Sequence, residues 1–83
     1  MTYRLIIVDD HPIVRRGLGQ LIGSHPDLEV CGEASEVDEA FELVAELRPD
    51  VVIIMNAVYR EEIQRDLNIM ELEPLVLALG ENN

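Results

Sequence analysis

Residues 4–12 read RLIIVDDHP, an apolar run that ends in the adjacent carboxylates of Asp9 and Asp10. Such an unbroken run, followed by residues that break its pattern, is typical of a strand buried on both faces of a parallel sheet. The residues after the strand would then lie at the carboxyl edge of the sheet, where open α/β sheets bind ligands. The stretch therefore predicts a central strand that places an acidic pair at a binding edge.

The acidic pair has two interpretations. In the first, Asp9 and Asp10 bind Mg²⁺, which relieves the repulsion between the carboxylates and keeps several waters of its own. In the second, the pair ends the strand in solvent and the Asp10 side chain caps the next helix. The two residues alone favour neither interpretation. With so few protein ligands, we expect any Mg²⁺ binding to be weak.

The rest of the chain alternates between helical and strand-like hydrophobic spacing. The segments are helical at 13–22, 37–47 and 59–70 and strand-like at 28–34, 51–55 and 74–80. The predicted order is therefore β-α-β-α-β-α-β, which short right-handed connections fold into a doubly wound parallel sheet. We expect one domain over residues 1–83, with the weakly alternating segment 28–34 at an edge of the sheet.

Three further predictions concern the helices. Gly23 is placed to end the first helix in a left-handed turn. Ser35 is placed to cap the second helix through its side chain. Arg15 falls on the outer face of the first helix, opposite its apolar residues, and is expected to contribute little to folding or assembly.

Charge and composition exclude several classes of protein. The 83-residue chain has a net charge of -11, which opposes direct binding to the phosphates of nucleic acids. Its apolar runs are far shorter than the ~20 residues that a membrane span needs. Cys31 is the single cysteine and cannot form an internal disulfide, so we expect a cytoplasmic location.

Several segments of residues 1–55 agree in order and spacing with a known family. They are RLIIVDDHPIVRRGL at 4–18, PDLEV at 26–30, GEAS at 32–35 and LRPDVVII at 47–54. Together they resemble the receiver domain of a two-component response regulator of the NarL/FixJ type. The resemblance implies a flavodoxin-like fold in which Asp9 and Asp10 hold Mg²⁺. It also implies that a histidine kinase passes a phosphoryl group to an aspartate that ends the third strand.

The sequence departs from this family at the reacting position. Met55 occupies the place of the phosphoryl-accepting aspartate, and a thioether cannot carry an acyl phosphate. The family's hydroxyl residue would fall near Ala78 or Leu79, and its lysine has no counterpart because all six basic residues are arginines. We therefore expect a truncated, degenerate receiver domain that is not an enzyme, takes no part in the phosphorelay and contacts a histidine kinase only as far as the resemblance implies.

Two other functions stay open. A metal-dependent phosphoryl-handling domain could use Asp9 and Asp10, with or without Glu33, as metal ligands, but it lacks an evident nucleophile. His11 could serve it as a base, although a histidine before a proline is more often a solvent-facing spacer. Nucleotide binding would rest on three glycines, Gly17, Gly19 and Gly23. Phosphate-binding glycines belong in the turn directly after a strand, so we favour close packing and a helix stop for them.

The last strand leads to a prediction of self-association. Residues 75–79 would form an apolar edge strand, a form that invites pairing with another chain. The first helix alone cannot cover a four-stranded sheet, so part of the face lined by alternate residues of 51–54 and 75–79 would meet water. We therefore expect a homodimer or higher homo-oligomer, in which the same patch of each copy is buried against the other.

Overall fold

Strands and helices alternate along the chain in the predicted order. The computed structural model describes residues 1–55, 60–69 and 74–78. The strands are β1 (Tyr3–Val8), β2 (Leu28–Ala34), β3 (Val51–Ile54) and β4 (Leu75–Ala78), and the helices are α1 (Pro12–Gly23), α2 (Val37–Leu47) and α3 (Arg60–Ile69). The predicted helical positions of Tyr59 and Met70 and the strand position of Leu79 lie outside the described residues. Within the described ranges, no helix is both long and apolar enough to cross a membrane.

The four strands form one parallel sheet in the order β2-β1-β3-β4. Val8 at the end of β1 pairs with Ala34 of β2 on one side and with Ile54 of β3 on the other. The predictions that β1 and β3 are central and that β2 is at an edge are confirmed. Because the three strands end at the same level, the residues that follow them share one edge of the sheet.

The two faces of the sheet bury different side chains because successive residues of a strand point to opposite faces. On one face, Ile6 and Val8 of β1 pack beneath α2 and α3, whose Ala40, Val44, Ile63 and Leu67 are fully buried or nearly so. The helix predicted over residues 37–47 is thereby confirmed. On the other face, the buried cluster consists of Leu5, Ile7, Ile22 and Ile53.

Helix α1 packs on β1 and β2 and leaves β4 uncovered on that face. Leu75 and Leu77 of β4 are 58% and 43% exposed. On the same face of β3, Ile53 is only 7% exposed and belongs to the cluster beneath α1. The exposed part of this face is therefore centred on β4, within the region that the sequence predicted.

The first helix ends at Gly23 as predicted, but the left-handed turn predicted there and the cap predicted at Ser35 are wrong. Gly23 is the last residue of α1 and is followed by Ser24 in a right-handed conformation (φ −76°, ψ −11°), whereas Arg48 after α2 adopts the left-handed one (φ 48°). Glu36, not Ser35, is the N-cap of α2 and makes no side-chain capping hydrogen bond. The backbone N–H of Ser35 instead donates to Glu39 Oε1 at 3.1 Å, because the helix begins one residue later than a Ser35 cap requires.

Candidate functional site

The carboxyl edge of β1 and β3 brings the acidic pair next to Met55. The backbone N–H of Asp9 donates to the Ala34 carbonyl at 2.9 Å, and that of Met55 donates to the Val8 carbonyl at 3.0 Å. These two bonds extend the strand ladder by one residue beyond β1 and β3. Asp9 is buried at 6% exposure, and Met55 packs against the cluster beneath α1. The backbone thus holds Asp9 and Met55 at the same edge.

Three consecutive residues form the polar centre of this edge. Nδ1 of His11 lies 3.1 Å from Oδ1 of Asp9 and 2.8 Å from Oδ1 of Asp10. One ligand atom from each of the three residues lies within 4.8 Å of the other two. The His11 side chain is 72% exposed, as expected for a solvent-facing residue, yet it also joins the two carboxylates. The sequence interpretation missed this contact.

The interpretation in which Asp10 caps the first helix is excluded. His11 is the N-cap of α1, and the helix has no side-chain capping hydrogen bond. Pro12 opens the helix, and a proline at this position has no N–H that needs a partner. The carboxylate of Asp10 faces solvent and His11 instead, so it is available as a ligand.

Arg15 is a second residue that the sequence interpretation misplaced. Its guanidinium NH1 donates to the Asp9 carbonyl at 2.5 Å, and its Nε lies 3.4 Å from Oε1 of Glu33. Its side chain is only 18% exposed, so the predicted outer position is wrong. Arg15 follows the N-cap by one helical turn, and that spacing was the available signal that it returns to the strand edge. Glu33 interacts with Arg15 and is not among the residues grouped around Asp9.

The buried carboxylate of Asp9 has one oxygen without a partner. Oδ1 accepts from His11, whereas Oδ2 is buried and has no hydrogen-bond partner within the described part of the chain. A buried, unpaired carboxylate oxygen is unfavourable, and such atoms are normally satisfied by a donor, a water or a cation. Asp9 and Asp10 also provide the oxygen ligands that Mg²⁺ prefers. These two residues therefore fit a divalent cation.

The electrostatics of the cluster shift two pKa values in opposite directions. Burial raises the pKa of Asp9, but hydrogen bonds from the side chain and backbone of His11 and the charge of His11 outweigh it, so the pKa lies below its ordinary value. The pKa of His11 is raised, first by its hydrogen bond to Asp9 and then by the charges of Asp10 and Asp9. Both shifts favour the imidazolium–carboxylate pair.

Acidic residues also line the open groove beside the cluster. It encloses about 440 Å³, and its lining residues are Asp10, Ser35, Glu36, Val37, Asp38 and Glu62. Four of these six side chains carry a carboxylate, so the groove repels phosphate and other anions. It lies next to Asp10 and keeps that residue open to cations from solvent.

The glycines of α1 have only one of the two roles that we predicted, since Gly23 ends the helix. A Cβ atom added to Gly17, Gly19 or Gly23 would meet no atom within 4 Å, so close packing is not the reason for them. All three lie within α1 rather than in the turn after β1, and this position does not fit a phosphate-binding loop. Gly32 of β2 is the closely packed glycine, since an added Cβ would lie 3.2 Å from Cδ1 of Leu47.

Comparisons with known proteins agree with the fold. The family model described as response regulator receiver domain matches residues 5–57. The DNA-binding transcriptional activator DevR/DosR of Mycobacterium tuberculosis is 49% identical over 51 residues, which cover 61% of this chain and 24% of that protein. A protein-glutamate methylesterase/protein-glutamine glutaminase of Pyrococcus abyssi is also 49% identical over 51 residues, covering 61% of this chain and 14% of the enzyme.

A solved structure extends the similarity to nearly the whole chain. The two-component response regulator of the LuxR family from Aurantimonas sp. SI85-9A1 superposes with a TM-score of 0.74 at 30% identity, covering 99% of this chain and 62% of that one. The parallel sheet order and the helices are thus shared with a response regulator. The chain spans about a quarter or less of the length of the two curated relatives, one a DNA-binding activator and the other an enzyme.

Proposed function

Since this chain belongs to the family of response regulator receiver domains, we propose that it is a receiver domain that cannot accept a phosphoryl group and that acts by association with a second copy of itself. In this proposal it has no enzymatic activity of its own. The observation that carries the proposal is the residue at the end of β3, which is Met55.

The position of Met55 supports the loss of phosphorylation. Its N–H bonds to the carbonyl of Val8, directly before Asp9, and this edge is where the family's acceptor aspartate ends the third strand. A thioether has no oxygen that could form an acyl phosphate. The chain also contains no lysine, so the cation that this family uses at the site has no counterpart in these 83 residues.

Asp9 and Asp10 would hold Mg²⁺ in this receiver domain. When bound, the ion would neutralise the repulsion between the two carboxylates and satisfy Oδ2 of Asp9. We propose weak binding because Met55 supplies no third carboxylate and Mg²⁺ gives up its waters reluctantly. Contact with a histidine kinase stays a prediction from the family, and a cytoplasmic location stays a prediction from the single cysteine.

The uncovered side of β4 supports self-association. Leu75 and Leu77 are both exposed on an edge strand that, among the described residues, pairs only with β3. Complete burial of a leucine side chain contributes about 1.5–3 kcal/mol. A symmetric dimer that places β4 against its copy would bury the two leucines of each chain at once.

Treatment with acetyl phosphate tests the loss of phosphorylation. We expect the intact mass to stay unchanged in the presence of Mg²⁺, because no carboxylate occupies position 55. A phosphorylated response regulator treated in parallel controls for the reagent. An acid-labile phosphate adduct on this chain would refute the proposal. Met55→Asp alone should not restore full phosphorylation, since the lysine and the hydroxyl residue would still be missing.

The alternative is a metal-dependent phosphoryl-handling domain that uses Asp9 and Asp10. The contact between His11 and both carboxylates favours it, because an imidazole there could move a proton. Its test is release of phosphate from p-nitrophenyl phosphate with Mg²⁺. Activity that disappears in Asp9→Asn would support this alternative, and equal background rates in the two proteins would exclude it.

A further inference from the structure

The imidazole of His11 gives the cluster a type of ligand atom that Mg²⁺ does not favour. Nδ1 lies 3.1 Å and 2.8 Å from one carboxylate oxygen each of Asp9 and Asp10. With bonds of about 2.1 Å, neighbouring ligand atoms around a zinc-like ion lie about 3.0–3.4 Å apart. Nδ1 is therefore near the spacing of neighbouring ligands from one oxygen of each carboxylate, and the three ligand atoms all lie within 4.8 Å of one another.

An independent observation points to a cation at this place. Oδ2 of Asp9 is buried without a hydrogen-bond partner in the described part of the chain, and the side chain of Asp9 is 4% exposed. Asp10 and His11 are 62% and 72% exposed at their side chains. Asp9 is thus fixed in the fold and carries an oxygen without a partner. Asp10 and His11 are exposed, so an ion can reach them from solvent.

We propose that Asp9, Asp10 and His11 form a site for a first-row transition metal ion, with Zn²⁺ bound more tightly than Mg²⁺. Imidazole nitrogen suits Zn²⁺, whereas Mg²⁺ is bound through carboxylate, carbonyl and water oxygens. The inference rests on the proposed function in one respect, which is that Met55 supplies no oxygen ligand. Loss of that oxygen weakens the family's Mg²⁺ site, and His11 supplies a nitrogen in its place. Binding releases to solvent the Nδ1 proton that the carboxylates otherwise accept, because a ligating imidazole nitrogen must be unprotonated.

The backbone favours this exchange of ligands. His11 is the N-cap of α1, with extended dihedral angles (φ −105°, ψ 105°), and Arg15 anchors the first turn of that helix to the Asp9 carbonyl. The position of the imidazole is thereby tied to the end of β1. Less ordering is needed on binding when ligands are already held near their final positions.

Calorimetric titration of the full chain with ZnCl₂ and with MgCl₂ tests the proposal. His11→Ala is the test variant, and His25→Ala is the matched control. His25 lies in the connection from α1 to β2 and accepts from Leu28 N–H through its carbonyl, at the opposite edge of the sheet. Circular dichroism establishes that each variant folds.

We expect Zn²⁺ to bind at least about tenfold more tightly than Mg²⁺ to the unmodified chain. His11→Ala should weaken Zn²⁺ binding about tenfold or more, the order of loss seen when metal sites are altered, and change Mg²⁺ binding less than about twofold. His25→Ala should change neither. Equal affinities for the two ions, or equal Zn²⁺ binding in His11→Ala and the unmodified chain, would overturn the proposal.

Nitrogen NMR of the unmodified chain provides a readout that does not depend on a variant folding. Addition of Zn²⁺ should shift the Nδ1 resonance of His11 and leave both ring nitrogens of His25 in place. A shift confined to His25, or none at either histidine, would overturn the proposal. Such a failure leaves the acetyl phosphate result unaffected, so it is distinguishable from failure of the proposed function.

Discussion

The two sides of β4 differ in exposure, although the sequence LVLA is apolar throughout. Val76 points to the face covered by α2 and α3 and is 6% exposed, whereas its neighbours Leu75 and Leu77 are 58% and 43% exposed. Covered and uncovered apolar surface thus alternate along one strand. An apolar side chain on the side of β4 that α2 and α3 cover therefore contributes more to the stability of the fold than one on the uncovered side. The uncovered side is the one available for association with a second chain.

The largest expected effect is on the covered side. Leu67 of α3 is fully buried beneath the sheet, so Leu67→Ala should lower the free energy of unfolding by about 2–5 kcal/mol through lost burial and a new cavity. Urea unfolding at a fixed protein concentration measures the change. A loss below about 1 kcal/mol would show that packing of α3 on the covered side of β4 contributes little to the stability of the fold.

Leu77→Glu tests the uncovered side. A carboxylate on the exposed face of β4 opposes its burial against a second copy, so we expect the dissociation constant of the dimer to rise at least about tenfold, or about 1.4 kcal/mol. Ile69→Glu is the control, since Ile69 is 74% exposed at the end of α3. Sedimentation velocity over a concentration series measures the dissociation constant of each variant. Equal dissociation constants for Leu77→Glu and Ile69→Glu would show that β4 does not form the interface.

A smaller effect is expected at Arg15, whose position corrects the sequence interpretation. Arg15→Ala removes the hydrogen bond to the Asp9 carbonyl and the ion pair with Glu33, so we expect a loss of about 1 kcal/mol. Arg16→Ala, at an exposed position of the same helix, should cost less than about 0.5 kcal/mol. Thermal unfolding of both variants measures the difference. Equal stability of the two variants would show that the contacts of Arg15 contribute no more than an exposed position on the outer face of α1.

The smallest expected effect concerns pH. Because the pKa of His11 is raised in the folded chain, its protonation stabilises the fold below the ordinary histidine value of 6.5. This stabilisation is lost as pH rises through the folded pKa. Because the pKa of Asp9 is lowered in the folded chain, its ionisation stabilises the fold above the ordinary value of 3.8. This stabilisation is lost as pH falls through the folded pKa. The pair therefore contributes most between these two values. Without metal, Asp9→Asn should lower the His11 pKa in an NMR titration; an unchanged value would exclude the contact.

The sequence predicted the features that depend on hydrophobic pattern. Runs such as residues 5–8 and 51–54 identify buried parallel strands, and the short connections restrict their order. The pattern did not predict how side chains return to the strand edge. Arg15 and His11 act through bonds to Asp9 that depend on the angle at which α1 leaves β1. Burial of Ile53 beneath α1 likewise depends on packing between distant segments, which periodicity does not encode.

Sedimentation equilibrium of the unmodified chain at micromolar concentration tests the central claim most directly. The exposed side of β4 predicts a particle of twice the 9.4 kDa mass of one chain, with the fraction of dimer rising with concentration. A folded chain that unfolds cooperatively and sediments as a 9.4 kDa monomer throughout this range would contradict association through β4.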